Sequence, residues 1–258
     1  MGSETERRII PGNSQYIGSR KNQQDSFGFS DIENEEMVKR LGVIVVVADG
    51  MGGMENGSEA STIAVNTMID QYSGKFAGES IPEAMIRAVH RANDEIVNTA
   101  NKLSLKEQMG TTLVAAVVYE NKFYYLSVGD SHIYLLRKNK LICLNREHVY
   151  ARHLAEDAAC GRISIEEVKK HPERKHLTSY LGLENLEELD ISTNPIQLEL
   201  MDRIFLCSDG FYNSLEEKEI IDAMKCEPQQ ACEILIDLIK SKQLLCQDNA
   251  TIAMLLIE

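Results

Sequence analysis

The stretch Val43-Ile44-Val45-Val46-Val47-Ala48-Asp49-Gly50 is an unbroken apolar run that ends in an aspartate followed by glycine. So many β-branched residues in succession predict a strand that is buried on both faces and enters a turn at the aspartate. Two other stretches have the same form, 123–131 around Asp130 and 203–210 around Asp209. A fourth aspartate, Asp248, stands just before the closing apolar run 252–257.

Carboxylates at the ends of neighbouring strands gather at one edge of a sheet, where several uncompensated charges repel one another. Hard divalent cations prefer such oxygen ligands and need few protein residues, because water completes the coordination shell. The pattern therefore predicts a site for Mg²⁺ or Mn²⁺. Taken alone, the segment 49–53 is equally consistent with a glycine-rich turn that is capped by a hydrogen-bonded aspartate.

Composition excludes several classes of function. The chain has 258 residues, a net charge of −13, 43% hydrophobic and 26% charged residues, which is typical of a globular protein with an ample core. The negative charge argues against nucleic acid as a partner, because a phosphate backbone requires a basic surface. We see no apolar run of the ~18 residues that a membrane span needs, no signal peptide and no disulfide pattern among the six cysteines. We therefore expect a cytoplasmic protein that binds neither nucleic acid nor membrane.

Hydrophobic spacing predicts two pairs of helices, at about 57–73 and from Pro82, and near 216–224 and 228–243. Strands are expected near 25–31, 43–48, 112–119, 123–128, 132–137, 140–144, 203–207 and 251–257. The short turns between consecutive strands over 112–144 predict one antiparallel meander. Two helix pairs can cover two sheets, so we predict an α+β fold: a four-layer αββα sandwich of two antiparallel sheets, in one domain spanning residues 1–258.

Six short motifs occur in a fixed order along nearly the whole chain. They are Arg-Lys-Asn-Gln-Gln-Asp at 20–25, Asp-Gly-Met-Gly-Gly at 49–53, Gly-Thr-Thr at 110–112, Gly-Asp-Ser at 129–131, Ser-Asp-Gly at 208–210 and Asp-Asn-x-Thr at 248–251. Together they resemble the metal-dependent protein phosphatase family, of the phosphatase 2C type, in its compact bacterial form. The resemblance runs from about residue 14 to residue 258.

This resemblance implies a protein Ser/Thr phosphatase with two Mn²⁺ or Mg²⁺ ions at one edge of the sandwich. By position, Asp49 would bridge both ions, while Asp209 and Asp248 would complete the coordination of one of them. The Gly50 carbonyl would bind the other ion. Asp130 would join Asp209 in holding a third, weaker ion.

The resemblance also assigns the residues that would act on water and phosphate. Asp25, with Gln24 beside it, would orient a metal-bound water, and Arg20 would bind the substrate phosphate. Two cations that share a water lower its pKa and supply hydroxide for attack on phosphorus, so no covalent protein nucleophile is needed. An arginine can bind phosphate through two hydrogen bonds, although Arg20 could instead form a structural ion pair with a site carboxylate.

Substrate and partners follow from the same resemblance. We expect phosphorylated proteins as substrates, a role opposing a Ser/Thr kinase, and a monomer. Two alternatives remain open: a catalytically inactive scaffold, and a phosphatase of a partner-switching transcription regulator.

The polar residues 146–182 are predicted to form a mobile, flap-like insertion beside the metals; the alternative is a rigid polar helix pair that only covers a sheet edge. The histidines of this stretch, His148 included, are expected to be exposed or to cap helices. If the flap selects substrates, Arg162→Ala and His148→Ala should alter phosphoprotein turnover while leaving p-nitrophenyl phosphate hydrolysis nearly unchanged.

Overall fold

The computed structural model describes residues 7–51, 56–106 and 108–258. The strands are β1 (Ile9–Tyr16), β2 (Asp25–Phe29), β3 (Val43–Asp49), β4 (Leu113–Tyr119), β5 (Lys122–Val128), β6 (His132–Arg137), β7 (Lys140–Cys143), β8 (Asp190–Ile191), β9 (Ile196–Gln197), β10 (Arg203–Cys207) and β11 (Ala250–Ile257). The helices are α1 (Glu35–Leu41), α2 (Gly57–Ser73), α3 (Ile81–Leu103), α4 (Tyr150–Ala159), α5 (Ile165–Lys170), α6 (Asp209–Tyr212), α7 (Glu217–Ala223) and α8 (Pro228–Ser241).

The strands form two antiparallel sheets. The first sheet has the order β1-β11-β10-β6-β7, and the second has the order β2-β3-β4-β5-β8, with β9 also paired to β5. Helices α7 and α8 pack on the outer face of the first sheet, and α2 and α3 pack on the outer face of the second. A third apolar cluster lies between the two sheets. The predicted α+β fold, a four-layer αββα sandwich, is confirmed.

Strand β3 shows why its sequence is apolar at nearly every position. Its odd-numbered residues face the other sheet: Val43, Val45 and Val47. Its even-numbered residues face the helices α2 and α3: Ile44, Val46 and Ala48. All six are fully buried, and burying one Val or Ile side chain contributes roughly 1.5–3 kcal/mol relative to leaving it exposed. Because successive residues of a strand point to opposite faces, a strand buried on both sides needs no polar position.

The helix boundaries follow local capping. Helix α3 begins with a capping box, in which the Ser80 amide donates to the Glu83 carboxylate at 2.8 Å and the Glu83 amide donates to the Ser80 hydroxyl. Pro82 lies in its first turn, and Pro228 opens α8 in the same way. The predicted helices at 57–73 and from 228 are confirmed.

The prediction of a single meander over 112–144 is wrong. Strand β4 pairs with β5 in the second sheet, whereas β6 pairs with β7 in the first, so the chain crosses between the sheets at residues 129–131. Gly129 permits the crossing because its φ of 100° is unfavourable for other residues. A Cβ atom at Gly129 would also lie 2.7 Å from Thr112 Cβ. Asp130 therefore lies between the two sheets rather than in a hairpin.

Two elements at the start of the chain were not predicted. Strand β1 contains Pro11-Gly12, a dipeptide that favours a turn, but β1 is an edge strand, where proline is tolerated. Helix α1 is a short helix capped by the Asn34 side chain. Strand β2 also ends at Phe29 instead of residue 31.

Candidate active site

Four of the predicted metal ligands line one cavity at the edge of the sandwich. The cavity has a volume of about 460 Å³, and its lining includes the carboxylates of Asp49, Asp130, Asp209 and Asp248. A larger cavity of about 730 Å³ lies at the other end of β1 and β11, near Arg7 and Ile257, and its lining includes only one carboxylate, that of Glu120. Volume alone would favour the larger cavity, but the grouping of carboxylates identifies the smaller one as the candidate active site.

Strand register places Asp25 and Asp49 opposite each other, since they are paired residues of β2 and β3. The end of β3 is held by the Gly-Thr-Thr motif. The Asp49 amide donates to the Thr112 hydroxyl at 3.1 Å, and the Asp49 carbonyl accepts from the Thr111 hydroxyl at 2.8 Å. These bonds are made by the backbone of Asp49, whose residue lines the cavity, and they explain why threonines occur at this distant position.

Asp25 is nearly fully buried, with 4% of its surface exposed. One carboxylate oxygen, Oδ2, accepts hydrogen bonds from the hydroxyls of Ser208 at 2.7 Å and Thr251 at 2.6 Å. The other oxygen, Oδ1, has no hydrogen-bond partner. An unpaired buried acceptor is costly, so Oδ1 requires a donor such as water or a nearby cation.

Electrostatics in the cavity favour a cation strongly. Burial, reinforced by neighbouring aspartates, raises the pKa of Asp25 to about 6 and that of Asp130 to about 6. Burial and the charge of Asp25 raise the pKa of Asp49 well above its usual range, and burial and Asp248 raise the pKa of Asp209. Oxygen ligands with this excess negative charge fit a hard ion such as Mn²⁺ or Mg²⁺. Among the described residues, no three His, Cys, Asp or Glu side chains already form a compact ligand cluster.

Asp209 and Asp248 lie on the side of the cavity that is formed by the first sheet. Asp209 is the first residue of α6 and is separated from the end of β10 by Ser208 alone. Asp248 precedes β11, and the side chain of the next residue, Asn249, accepts from the Gln24 amide at 2.7 Å and donates to the Ile17 carbonyl at 2.8 Å. Asn249 thereby joins the motif at 248–251 to the motif at 20–25.

Arg20 forms an ion pair with Asp248, with 2.6 Å between Nη2 and Oδ2. Both side chains are about half exposed, at 45% and 37%. The segment around Arg20 is fixed by Ser19, whose amide and hydroxyl both donate to the Gln247 carbonyl. The structural ion pair considered for Arg20 is therefore present, and its exposure leaves the guanidinium accessible to a phosphate. Phosphate binding by Arg20 stays a prediction.

Gly50 and Gln24 lie side by side behind the cavity. The Gly50 amide donates to the Gln24 carbonyl at 3.1 Å, and a Cβ atom on Gly50 would lie 2.3 Å from the Gly57 carbonyl oxygen. The close backbone approach explains the glycine. The Gln24 side chain lies against Gly57 at the start of α2, so Gln24 contacts this site chiefly through its backbone. The rest of the glycine-rich motif, residues 52 and 53, lies outside the described residues.

His148 corrects one expectation. It was expected to be exposed or to cap a helix, but only 2% of its surface is exposed. Its Nδ1 accepts from the Gly129 amide at 3.1 Å, next to Asp130. A buried residue of this kind cannot touch a protein substrate, so the prediction that His148→Ala would affect phosphoproteins selectively is withdrawn.

Three residues of the cavity lining belong to none of the six motifs: Lys175, His176 and Leu177. Lys175 is exposed. Its position at the cavity is produced by backbone bonds between distant parts of the chain, such as Tyr150 N to His176 O at 2.9 Å. No local pattern in the sequence signals such a contact.

Comparison with known proteins identifies the family. The model of the family described as protein phosphatase 2C matches residues 14–244. The chain belongs to the protein phosphatase 2C family. A serine/threonine phosphatase, stp, of Listeria welshimeri is 34% identical over 218 residues, which cover 83% of this chain and 84% of the relative.

Solved structures of phosphatase 2C relatives share the fold. The serine/threonine phosphatase of S. agalactiae is 25% identical with a TM-score of 0.79, and the match covers 97% of this chain and all of that one. The catalytic domain of PstP, solved in complex with two manganese ions, is 25% identical with a TM-score of 0.73 and matches 96% of this chain and 98% of that one. The family assigned from the six motifs is therefore confirmed.

Proposed function

We propose that this chain is a Mn²⁺- or Mg²⁺-dependent protein serine/threonine phosphatase that hydrolyses phosphoserine and phosphothreonine on proteins. The main support is the cavity at the edge of the sandwich, which is lined by four half-buried carboxylates, among them Asp49 and Asp130 with raised pKa values. Membership of the protein phosphatase 2C family and the manganese-bound relative support the same chemistry.

In the proposed mechanism most of the carboxylates are metal ligands, and one, that of Asp25, orients water. In this proposal Asp49 would be shared by two ions, Asp209 and Asp248 would be further ligands of one of them, and the Gly50 carbonyl would be a ligand of the other. Asp130 and Asp209 would hold a third, weaker ion. When bound, the ions would lower the pKa of water and offset charge on the phosphoryl oxygens.

Residues of the chain itself orient the reactants. Asp25 is fixed by two hydroxyl donors on Oδ2, so its free Oδ1 points in one direction and can accept a hydrogen bond from the attacking water. Gln24 supports Asp25 from the adjacent backbone position. Arg20 orients the substrate phosphate, exchanging its partner Asp248 for the phosphoryl oxygens.

The wider setting is also a proposal. We infer a cytoplasmic, monomeric enzyme that opposes a Ser/Thr kinase in signal transduction. We also propose one phosphatase domain over residues 1–258, with 146–182 as a flap-like insertion. In the part of the chain that the structure describes, no helix has the length and apolar character of a membrane span.

The inactive scaffold is a weaker alternative, because every carboxylate that the family motifs require is present. Hydrolysis of p-nitrophenyl phosphate with and without Mn²⁺, and after treatment with EDTA, tests the enzyme class. Peptides of one sequence that contain phosphoserine, phosphothreonine or phosphotyrosine then test the substrate class. The matched control is Asp49→Asn, which keeps the size of the side chain but removes its charge.

We expect Mn²⁺-dependent turnover of the phosphoserine and phosphothreonine peptides and loss of turnover in Asp49→Asn. Full turnover in chelator, with the protein shown to be metal-free by elemental analysis, would refute the metal-dependent mechanism. Phosphopeptide binding with no turnover would support the scaffold instead.

A further inference from the structure

His148 and Gly129 form a reciprocal pair of hydrogen bonds. The His148 amide donates to the Gly129 carbonyl at 2.9 Å, and the Gly129 amide donates to His148 Nδ1 at 3.1 Å. Since Nδ1 accepts, the ring is the neutral tautomer with its proton on Nε2. His148 is 2% exposed, so these bonds are shielded from water. The loss of either bond would leave a buried polar group unpaired.

Gly129 determines where Asp130 lies. It has a φ of 100°, packs against Thr112, and is the residue at which the chain leaves the second sheet for the first. On the other side of Asp130, its carbonyl accepts from the Tyr212 hydroxyl at 3.2 Å. The backbone of Asp130 is therefore held from both directions, by His148 through Gly129 and by Tyr212 directly.

The same histidine fixes part of the cavity wall. The His148 carbonyl accepts from the Thr178 amide at 2.9 Å, and the next residue, Val149, forms a β-bridge with Leu177. These contacts place residues 175–177 at the cavity that Asp130 also lines. One buried side chain and its own backbone thus connect an acidic turn on one side of the cavity with the basic wall on the other.

We propose that His148 is a positioning residue that fixes Asp130, through Gly129, in the orientation needed to hold its metal ion, and that it keeps residues 175–177 in register with that ion. His148 is not itself a ligand. The inference rests on the proposed function through the role given to Asp130. It adds a residue that belongs to none of the six motifs and acts through the backbone.

The substitution pair His148→Leu and His148→Asn separates this role from simple packing. Leucine fills the space but offers no acceptor to the Gly129 amide. Asparagine is smaller, but its Oδ1 can occupy nearly the same position as Nδ1 and accept the bond. His90→Leu, at an exposed histidine on α3, is the matched control. Asp130→Ala identifies the Mn²⁺ site that depends on Asp130.

Mn²⁺ binding to the metal-free chain is measured by isothermal titration calorimetry and by electron paramagnetic resonance of free Mn²⁺, beside p-nitrophenyl phosphate turnover. We expect His148→Leu to weaken the Asp130-dependent site roughly 10- to 100-fold, the usual range for groups that orient a ligand. His148→Asn should stay within roughly threefold of wild type, because the buried amide keeps an acceptor. His90→Leu should bind as wild type does.

Rescue by asparagine is the decisive result. If His148→Asn weakens the Asp130-dependent site as much as His148→Leu does, or if neither variant weakens it, the proposal is wrong. If the leucine variant does not fold, a folded His148→Asn that binds as weakly as Asp130→Ala would refute the proposal, and one that binds like wild type would support it. Failure of the proposed function is a different result: wild type would bind Mn²⁺ yet hydrolyse no phosphomonoester, and the binding series would still decide the role of His148.

Discussion

Asp25 and Asp49 are directly opposite each other in the antiparallel register of β2 and β3. Asp25 is buried and Asp49 is half-buried, and the charge of Asp25 adds to burial in raising the pKa of Asp49. Two carboxylates held this close cannot both ionise at low cost unless a cation lies between or beside them. The strand pair that organises the site is therefore also a source of instability in the metal-free chain.

Metal binding should stabilise the protein more at pH 7 than at pH 5. A carboxylate whose pKa is raised in the folded state contributes stability that is fully present below its unfolded pKa, 3.8 for Asp, and is lost as the pH rises through its folded pKa, about 6 for Asp130. For Asp130 alone the loss is on the order of 3 kcal/mol. Thermal unfolding with Mn²⁺ and with EDTA measures the difference in Tm at each pH. An equal difference at both values would contradict the raised pKa values.

The acidic residues should differ in importance. Asp49→Ala removes the proposed bridge between two ions and should abolish turnover, as should Asp209→Ala or Asp248→Asn. Asp130→Ala should leave the two-ion core in place and lower turnover mainly at high Mn²⁺ concentration. Rates of p-nitrophenyl phosphate hydrolysis over a Mn²⁺ titration test this order. Retention of more than a small fraction of wild-type kcat by Asp49→Ala would remove it from the bridging role.

Arg20→Ala should raise KM for phosphorylated substrates more than it lowers kcat, because a phosphate bound equally in the ground and transition states contributes uniform binding. A charge-assisted hydrogen bond of this kind contributes about 1.5–3 kcal/mol, or roughly a 10- to 150-fold change in KM, with the lower end expected at this half-exposed position. Arg20→Lys keeps the charge but not the paired hydrogen bonds and should be intermediate. An unchanged KM in a folded Arg20→Ala protein would limit Arg20 to its ion pair with Asp248.

His148 should make the metal-free protein less stable in mild acid. Burial lowers the pKa of His148 below its usual 6.5, and the positive charge of Arg152 lowers it further. The negative charges of Glu188 and Asp190 act in the opposite direction but do not cancel the effect of burial. Its contribution to stability is complete above the unfolded pKa, about 6.5, and is lost as the pH falls through the folded value. The free energy of unfolding in urea should therefore fall more steeply from pH 7 to pH 5.5 in wild type than in His148→Asn. Parallel profiles for the two proteins would show that His148 does not titrate in this way.

Lys175 should discriminate between protein and small-molecule substrates. It is an exposed cation at an otherwise acidic cavity, so it can pair with an acidic side chain of a phosphoprotein, whereas p-nitrophenyl phosphate carries no such side chain. An exposed charge pair contributes up to about 1 kcal/mol, so Lys175→Ala should raise KM for an acidic phosphopeptide by roughly two- to fivefold, and less at high salt. Lys169→Ala, on α5 and outside the cavity lining, is the control. Equal changes for both substrates would argue that residues 146–182 do not select substrates.

Much of the fold and the grouping of the aspartates at one cavity could be predicted because their signals are local. The apolar run before Asp49 predicts a buried strand, and the helical spacing over 57–73 predicts a helix, without information from the rest of the chain. The crossing at Gly129 could not be predicted, because a short turn between two strands looks the same whether the strands pair or separate. The positions of His148 and Lys175 could not be predicted for the same reason, because they depend on backbone hydrogen bonds to residues far away in the chain. Motifs report what is close in sequence, and the cavity also depends on what is close only in space.

The crossing of the chain at residues 129–131 has a mechanical consequence. Asp25 and Asp49 belong to the second sheet, Asp209 and Asp248 lie next to the ends of β10 and β11 of the first sheet, and Asp130 lies on the link between the two sheets. An ion shared by Asp49 and Asp209 would fasten one layer to the other at this end, much as the apolar cluster does between the strands. By thermodynamic linkage, a ligand that binds better when the two sheets are separated there must weaken ion binding, by the same free energy by which the ion weakens binding of that ligand. The metal site would then also hold the two sheets together, and the fraction of sites that contain metal would depend on the separation of the sheets.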